Sequence, residues 1–450
     1  MTDSAAPSDN GEPEPKPSQS STHEQASPRS LSRARGCFSV IGVLSVMVLL
    51  IGGGFIGWKI WDGNRVVEKN QALIEPFYEP PASIPAKPGT IIRSQPMDDV
   101  AVPGGKAYRI LYASTGFKGE PVAVSGMIFV PEGTAPAGGR KVLAWAHGTV
   151  GLADKCAPSR SQMPLSDMDV WLGEAMQRGW VVSATDYLGL GTPGPTTYLI
   201  GSQEAADVVN SVRAAKDFPA ANASDDWIVV GHSQGGHSAL WTGQLAAKIA
   251  PELKLKGVIA NAPATELAPI MNAQWNTPVG WVIGAEAALA FGDYYGGDAF
   301  LNSLSKAGRD QLTSLQGNCT LQDGLTALAF EKFGVQFFSS NPVDNPAWAK
   351  AAFEQTPKPL PANMPLFMSE GTDDSVVLSA SNALMQQKWC AAGSDMTALW
   401  LGGAQHLQVA ILSGHYFINW ATSVFSGSGP TRNCEIPPAT PPMAPLVPKV

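Results

Sequence analysis

Short apolar runs alternate with amphipathic segments of helical length over most of the chain beyond residue 140. This alternation is typical of a parallel β-sheet that helices cover on both faces. The apolar runs predict strands at residues 141–146, 180–184, 227–230, 255–260, 365–368 and 397–401. The amphipathic segments predict helices at residues 166–178, 203–217, 235–249, 379–390 and 407–425. The pattern therefore predicts a doubly wound, mostly parallel α/β fold.

Two earlier segments, 108–112 and 122–130, alternate apolar with other residues and predict a pair of antiparallel strands. The predicted core comprises residues 101–263 and 365–429. It is followed by a Pro-rich tail at 430–450 that contains seven prolines.

A long insertion separates the fourth and fifth of the predicted parallel strands. Residues 264–364 are too many for a loop without structure of its own, so they predict an inserted, largely helical cap. The cap is rich in aromatic residues, namely Trp275, Trp281, Phe291, Tyr294, Tyr295, Phe330, Phe333, Phe337 and Phe338. Such side chains suit an apolar ligand, although core packing alone also accounts for them.

The N-terminal part has a different pattern. Residues 36–58 contain no charged residue, and a helix of that length rises about 34 Å, enough to cross a hydrocarbon core of about 30 Å. We therefore expect an uncleaved transmembrane anchor, because a secretory signal has a shorter apolar run and a small-residue cleavage site. Residues 1–35 predict a disordered tail, and the Pro-punctuated residues 59–100 predict a spacer.

The orientation of this anchor rests on the cysteines, because Lys and Arg residues are balanced on its two sides. Beyond the anchor stand four cysteines, Cys156, Cys319, Cys390 and Cys434, an even number that suits an oxidising compartment. Their connectivity stays open at this point. We expect a single-pass protein of the cell membrane with its folded part outside the cytoplasm, and a cleaved, secreted form is the alternative.

Composition narrows the function further. Charged residues make up 15% of the chain, against about 25% in an average domain, and the formal net charge is −8. There is no basic surplus to neutralise phosphates, so nucleic acid is excluded as a partner. The cysteines lack short metal-binding spacings, so we expect neither a metal nor a cofactor. The oligomeric state stays unknown.

A serine stands where a strand passes into a helix. Gly231-His232-Ser233-Gln234-Gly235 follows the strand at 227–230 and precedes the helix at 235–249. This G-x-S-x-G pattern is typical of a nucleophile elbow, in which small residues two before and two after the serine relieve backbone crowding. The strand and helix on either side make Ser233 the predicted nucleophile.

A serine nucleophile needs a base and an acid, which in this architecture follow it in the order Ser, acid, His. His406 comes just after the strand at 397–401, where a base can lie over the carboxyl edge of the sheet, whereas His415 falls inside a helix. Asp374 is the preferred acid in the loop after the strand at 365–368, and Asp373 is the alternative. The predicted triad is Ser233, Asp374 and His406.

An acyl-transfer site also needs an oxyanion hole made of two N–H groups. One is predicted at Gln234, the residue after the nucleophile. The other is predicted at Thr149 in the loop after the strand at 141–146, where Gly148 keeps the backbone close.

These motifs together resemble the secretory lipase family of α/β-hydrolases, best known from fungal secreted lipases. The resemblance covers roughly residues 75–430 and rests on Ala146-His147-Gly148-Thr149-Val150-Gly151, Cys156-Ala157-Pro158-Ser159, Ala184-Thr185-Asp186-Tyr187-Leu188-Gly189, the elbow glycines, and Gly371–Asp374 with His406. It implies a capped hydrolase that acts on lipid-like carboxylic esters. It also implies two disulfides, Cys156 with Cys319 and Cys390 with Cys434. The membrane anchor departs from the secreted pattern.

Residues and resemblance together predict a membrane-anchored, extracytoplasmic lipase or esterase with a lipid-like ester as its substrate. Three alternatives stay open. One is an acyltransferase that uses a sugar or lipid hydroxyl as acceptor, and another is a serine peptidase on the same fold. The third is a non-catalytic protein that binds lipids or partners.

Overall fold

The computed structural model describes residues 67–161, 163–165 and 168–446. The chain divides into two units, Met1–Lys69 and Asn70–Val450, and the second is described here. The predicted disordered tail at 1–35 and transmembrane anchor at 36–58 lie outside the described residues. Within the described part of the chain, no helix is both long and apolar enough to cross a membrane.

The described residues form one sheet of nine strands in the order β1-β2-β3-β5-β4-β6-β7-β8-β9. The strands are β1 Ile91–Pro96, β2 Gly105–Thr115, β3 Pro121–Pro131, β4 Arg140–Ala146, β5 Val181–Thr185, β6 Ala223–His232, β7 Lys254–Asn261, β8 Leu366–Gly371 and β9 Met396–Leu401. The pairings from β1 through β3 to β5 are antiparallel, and those from β5 to β9 are parallel. The predicted α/β sheet with an antiparallel beginning is confirmed.

Helices cover both faces of the sheet. They are α1, residues 70–78 within this unit, and α2 Asp169–Gln177, α3 Gly201–Asp217, α4 Gln234–Ile249, α11 Ser379–Ala391 and α12 His406–Ser426. Alternate residues of β6 point to opposite faces, so Trp227 and Val229 pack with α3, α4 and α11, while Ile228 and Val230 pack with α2 and α12. Burial on both faces explains why the parallel strands read as continuous apolar runs.

The segment between β7 and β8 is helical. It contains α5 Leu267–Gln274, α6 Pro278–Tyr295, α7 Ala299–Asn302, α8 Lys306–Gln316, α9 Thr320–Lys332 and α10 Pro346–Glu354. These helices enclose a hydrophobic cluster of their own, in which Phe291, Phe300 and Trp348 contact one another. Most of the aromatic residues of this segment therefore build a second core beside that of the sheet, whereas Tyr294 and Phe333 are exposed.

The spacer expected over 59–100 is wrong for its described part. Residues 70–78 are helical, and β1 is the edge strand of the sheet, paired with β2. Tyr78 is fully buried, and its hydroxyl lies 2.9 Å from the Ser159 hydroxyl. The prolines that suggested a spacer stand largely between these elements, and Pro96 ends β1, because an edge strand tolerates a residue without an N–H group.

Two disulfides fasten outlying segments to the core, and they join the partners that the family resemblance implies. Cys156 bonds Cys319 of the cap across 163 residues, and Cys390 of α11 bonds Cys434 across 44. The second one holds the Pro-rich tail against the sheet, where the Asn433 side chain accepts a hydrogen bond from the β9 residue Ala398 at 2.7 Å. The tail therefore packs on the domain at Asn433 and Cys434.

Loss of the tail disulfide gives the first prediction. We expect Cys434→Ala to lower the free energy of unfolding by about 4 kcal/mol, because opening a loop of this size restores entropy to the unfolded chain. Denaturant titration of Cys434→Ala, Cys390→Ala and the double variant measures it. The double variant should be no less stable than the less stable of the two single variants. Additive losses of stability would show that the two residues are not linked.

Candidate active site

Ser233 occupies the turn between β6 and α4. Its backbone has φ 59° and ψ −118°, a conformation that a residue with a side chain rarely adopts. The turn is held by hydrogen bonds on both sides, from the Ser233 N–H to the Asn261 carbonyl at 2.9 Å and from the His237 N–H to the Ser233 carbonyl at 3.1 Å. The strained turn presents Ser233 at the carboxyl edge of the sheet, as a nucleophile elbow does.

The glycines around Ser233 are required by close backbone contacts. A Cβ on Gly231 would lie 2.0 Å from the carbonyl oxygen of Gly235, and a Cβ on Gly235 would lie 1.8 Å from that of Ala146. Both distances are far below a van der Waals contact, and backbone atoms cannot move aside as a flexible side chain can. The G-x-S-x-G pattern is thus explained by the approach of α4 to β4 and β6.

His406 and Asp374 meet at the same edge of the sheet. Asp374 follows β8, His406 follows β9 as the first residue of α12, and the His406 Nδ1 lies 2.6 Å from the Asp374 Oδ2. The Asp374 Oδ1 accepts hydrogen bonds from the backbone N–H groups of Val376 at 2.8 Å and Val377 at 3.0 Å. Both side chains are buried, so the pair is rigidly held and shielded from water.

The two alternative residues lie in different surroundings. Asp373 is exposed and accepts a hydrogen bond from the hydroxyl of Thr372. His415 is on the exposed surface of α12, with its Nδ1 3.1 Å from a carboxylate oxygen of Glu174. The contacts therefore favour Asp374 with His406 over Asp373 and His415.

The predicted oxyanion donors flank Ser233. Gln234 follows it as the first residue of α4, and a Cβ on Gly148 would lie 3.6 Å from that of Ser233. The next residue, Thr149, contacts the hydroxyl of Tyr198 at 3.1 Å through its own hydroxyl. The loop after β4 therefore faces Ser233, which is the position that an oxyanion loop would need.

His232 links the elbow to the base and was not assigned a role from the sequence. Its ring lies against that of His406, with centroids 4.7 Å apart, and its Nε2 is 3.1 Å from the carbonyl oxygen of His406. Burial, and then the nearby His406, lower the pKa of His232 to about 3, so His232 is neutral and its Nε2–H donates to that carbonyl. His232, the residue before Ser233, thus helps to position His406.

A buried carboxylate behind the elbow was also missed. Glu204 of α3 is fully buried, and its Oε1 accepts hydrogen bonds from the Gln234 side chain at 2.7 Å and the Leu199 N–H at 3.0 Å. Its Oε2 accepts one from the Ser238 hydroxyl at 2.5 Å and lies 3.3 Å from the His237 Nδ1. Glu204 therefore fixes the side chains of the first turn of α4, and no local spacing in the sequence signals it.

A cavity opens at Ser233. Apart from Ser233, Gln234, Tyr198 and Gln274, its walls are apolar, and most of them belong to the cap. The cap contributes Leu267, Ile270 and Met271 from α5 and Ile283, Ala287 and Phe291 from α6. The arrangement offers a long apolar group a place beside the nucleophile.

The sequence of this chain is similar to those of known proteins. The family model described as secretory lipase matches residues 162–433. Lipase 5 of Candida albicans is 24% identical over 403 residues, which cover 80% of this chain and 82% of that protein. Lipase A of Moesziomyces aphidis is 24% identical over 211 residues, so that match spans 43% of this chain and less than half of the relative, 44%.

The fold is also found among solved structures. Candida antarctica lipase A in its closed state superposes with a TM-score of 0.65 at 21% identity, covering 82% of this chain and 89% of the other. At this identity the likeness concerns the fold.

The elbow contacts predict how glycine replacements behave. We expect Gly235→Ala to abolish folding or to cost several kcal/mol, since the new methyl group would overlap the carbonyl oxygen of Ala146. The control is Gly324→Ala in α9, where a Cβ meets nothing within 4 Å. That control should raise stability by roughly 0.5–1 kcal/mol through helix propensity. Thermal and denaturant unfolding measure both, and similar effects at the two sites would contradict the steric account.

Proposed function

We propose that this chain, which belongs to the secretory lipase family and is a carboxylic ester hydrolase, cleaves lipid-like esters through an acyl-enzyme on Ser233. The observation that carries the proposal is the apolar cavity that begins at this strained serine. The His406–Asp374 hydrogen bond beside the elbow supports it with a base and its orienting acid. No cofactor is needed for this chemistry.

Each residue has a defined part in the proposed reaction. The Ser233 hydroxyl attacks the ester carbonyl while His406 removes its proton, and Asp374 orients the imidazole and stabilises its cation. The N–H groups of Thr149 and Gln234 bind the oxyanion of the tetrahedral intermediate. His406 then protonates the leaving alcohol, and water attacks the acyl-enzyme to release the acid.

The cap supplies the proposed acyl-binding site. An acyl chain that enters the cavity buries its methylene groups against α5 and α6, and each of them gains about 0.8 kcal/mol. The walls present few polar groups to compete with this burial. A longer acyl chain should therefore bind better, up to the length of the cavity.

We place the enzyme outside the cytoplasm, tethered to the membrane by residues 36–58. The two disulfides and the secretory family support an extracytoplasmic domain. The uncharged run at 36–58 supports the tether through its length. A tether would keep an enzyme for apolar esters close to a lipid layer that holds its substrate.

The triad is tested by replacing its members in the full chain. We expect Ser233→Ala and His406→Ala to lower kcat for p-nitrophenyl butyrate by about 10⁴-fold or more, and Asp374→Asn to lower it by roughly 10³–10⁴-fold. Asp373→Asn is the matched control, since Asp373 is the exposed neighbour, and its activity should stay within about twofold. Equal turnover by Ser233→Ala and the unaltered enzyme would overturn the mechanism, whereas no turnover by the unaltered protein would favour a non-catalytic role.

The acyl site is tested by filling the cavity. We expect the unaltered enzyme to prefer p-nitrophenyl decanoate to the butyrate, and Ile283→Trp to lower kcat/KM for decanoate by about tenfold or more while changing butyrate little. The control is Leu325→Trp, because Leu325 is exposed on α9 outside the cavity walls. Equal losses for both esters in Ile283→Trp would mean that the acyl chain lies elsewhere.

Hydrolysis and acyl transfer are distinguished in the same assays. Supplying glycerol or a sugar as acceptor and analysing the products shows whether the acyl group goes to water or to a hydroxyl. We expect free acid as the main product.

A further inference from the structure

A second acidic residue lies against the acid of the triad. Glu370 is in β8, four residues before Asp374, and it is fully buried. Its Oε1 accepts a hydrogen bond from the Gly371 N–H at 2.8 Å, and its Oε2 accepts one from the side-chain amide of Asn382. The Glu370 carboxyl group also lies close enough to that of Asp374 for a hydrogen bond between the two side chains. The triad mechanism described above does not use Glu370.

Double ionisation of two buried carboxyl groups in contact is unfavourable, because burial removes the solvation that the second negative charge needs. A hydrogen bond between two carboxyl groups in turn requires a proton on one of them, since a carboxylate only accepts. Burial and this contact therefore favour a Glu370–Asp374 pair that shares one proton and one negative charge.

The hydrogen-bond donors decide which of the two carries the charge. Asp374 accepts from two backbone N–H groups and from His406, whereas Glu370 accepts from one backbone N–H and one amide. More donors stabilise the anion. The charge thus belongs on Asp374 and the proton on Glu370.

We propose that Glu370 is a positioning residue, a neutral carboxylic acid whose O–H donates to the Asp374 carboxylate and orients it toward His406. The inference rests on the proposed function, in which Asp374 acts on the base. Asp374 is then held by donors on every side, from the loop after β8, from α12 and from β8 itself.

The neighbours of Glu370 agree with this assignment. Asp374 is the charged group that acts on it, Asn382 faces it from α11 as a neutral amide, and Trp400 pairs beside it in β9. His406 of α12 contacts Asp374 rather than Glu370. Burial first, and then the charge of Asp374, raise the pKa of Glu370 well above its ordinary value.

A neutral Glu370 has a consequence for the reaction. One negative charge beside His406 suffices to stabilise the imidazolium that forms in the transition state. A second charge would hold the proton on His406 more tightly and would leave less free base at a given pH. The O–H donor also withdraws charge from Asp374, which keeps His406 available as a base at lower pH.

Kinetics of variants in the full chain test the proposal. Glu370→Met removes the donor at similar volume, and we expect kcat to fall by about tenfold with KM little changed, since a hydrogen bond to a charged group is lost. The acid limb of the kcat/KM profile should move up by about one pH unit, because Asp374 then stabilises the imidazolium more strongly. In Glu370→Gln the new side-chain amide replaces the O–H as a neutral donor, once Asn382 rotates its own amide group. This variant should therefore retain most of the activity and the pH profile of the unaltered enzyme.

Equal losses in both variants with an unchanged pH profile would reduce Glu370 to a packing residue and overturn the proposal. Should Glu370→Met fail to fold, the infrared difference spectrum between the unaltered enzyme and Glu370→Gln at neutral pH still decides. A protonated carboxylic acid band that is lost in Glu370→Gln supports the proposal, and a carboxylate band in its place overturns it. If Asp374→Asn keeps full activity, the proposed function itself fails. If Asp374→Asn is inactive while Glu370→Met has the unaltered rate and profile, only the present inference fails.

Discussion

The packing of α4 against the ends of β4 and β6 is the constraint on which the rest of the site depends. The carbonyl oxygen of Ala146 lies where a Cβ on Gly235 would have to be. These two backbone segments therefore approach so closely that no side chain fits between them. This closeness forces the turn at Ser233 into its strained conformation, and it brings the loop after β4 opposite the nucleophile. The cost of the strain is offset by the buried strands and helix that meet there.

Buried acidic groups around the sheet edge are stabilised mainly by neutral donors. Asp186 accepts from the hydroxyls of Ser125 and Ser159, and Glu204 accepts from an amide, a backbone N–H and a hydroxyl. Asp207 has comparable partners, yet burial raises its pKa to about 7. A chain with 15% charged residues has few cations to spare. Hydroxyl and amide groups near the sheet edge therefore replace salt bridges, and burial can raise the pKa of an acid even where such donors are present.

Patterns that are local in sequence were predictable, and contacts between distant segments were not. The parallel strands appear as apolar runs because both faces are covered, and the elbow appears as glycines because backbones touch. β1 escaped prediction because a short edge strand between prolines lacks an apolar run. Glu204 and Glu370 were not predicted because each lies within an ordinary helix or strand. Their partners, Gln234 and Asn382, are separated from them along the chain and reach them only in the folded structure.

The cap and the loop after β4, in which the proposed oxyanion donor Thr149 lies, are directly connected. The loop residue Val150 accepts a hydrogen bond from the N–H of Thr320 at 3.0 Å, and the next residue, Gly151, pairs with Cys319 of the cap. The disulfide from Cys319 to Cys156 closes the same connection covalently. The helices that line the apolar cavity at Ser233 are therefore tied to the loop after β4. Donors aimed at an oxyanion act best when they need no rearrangement, so in the proposed mechanism the position of the cap bears on the reacting carbonyl as well as on the acyl chain.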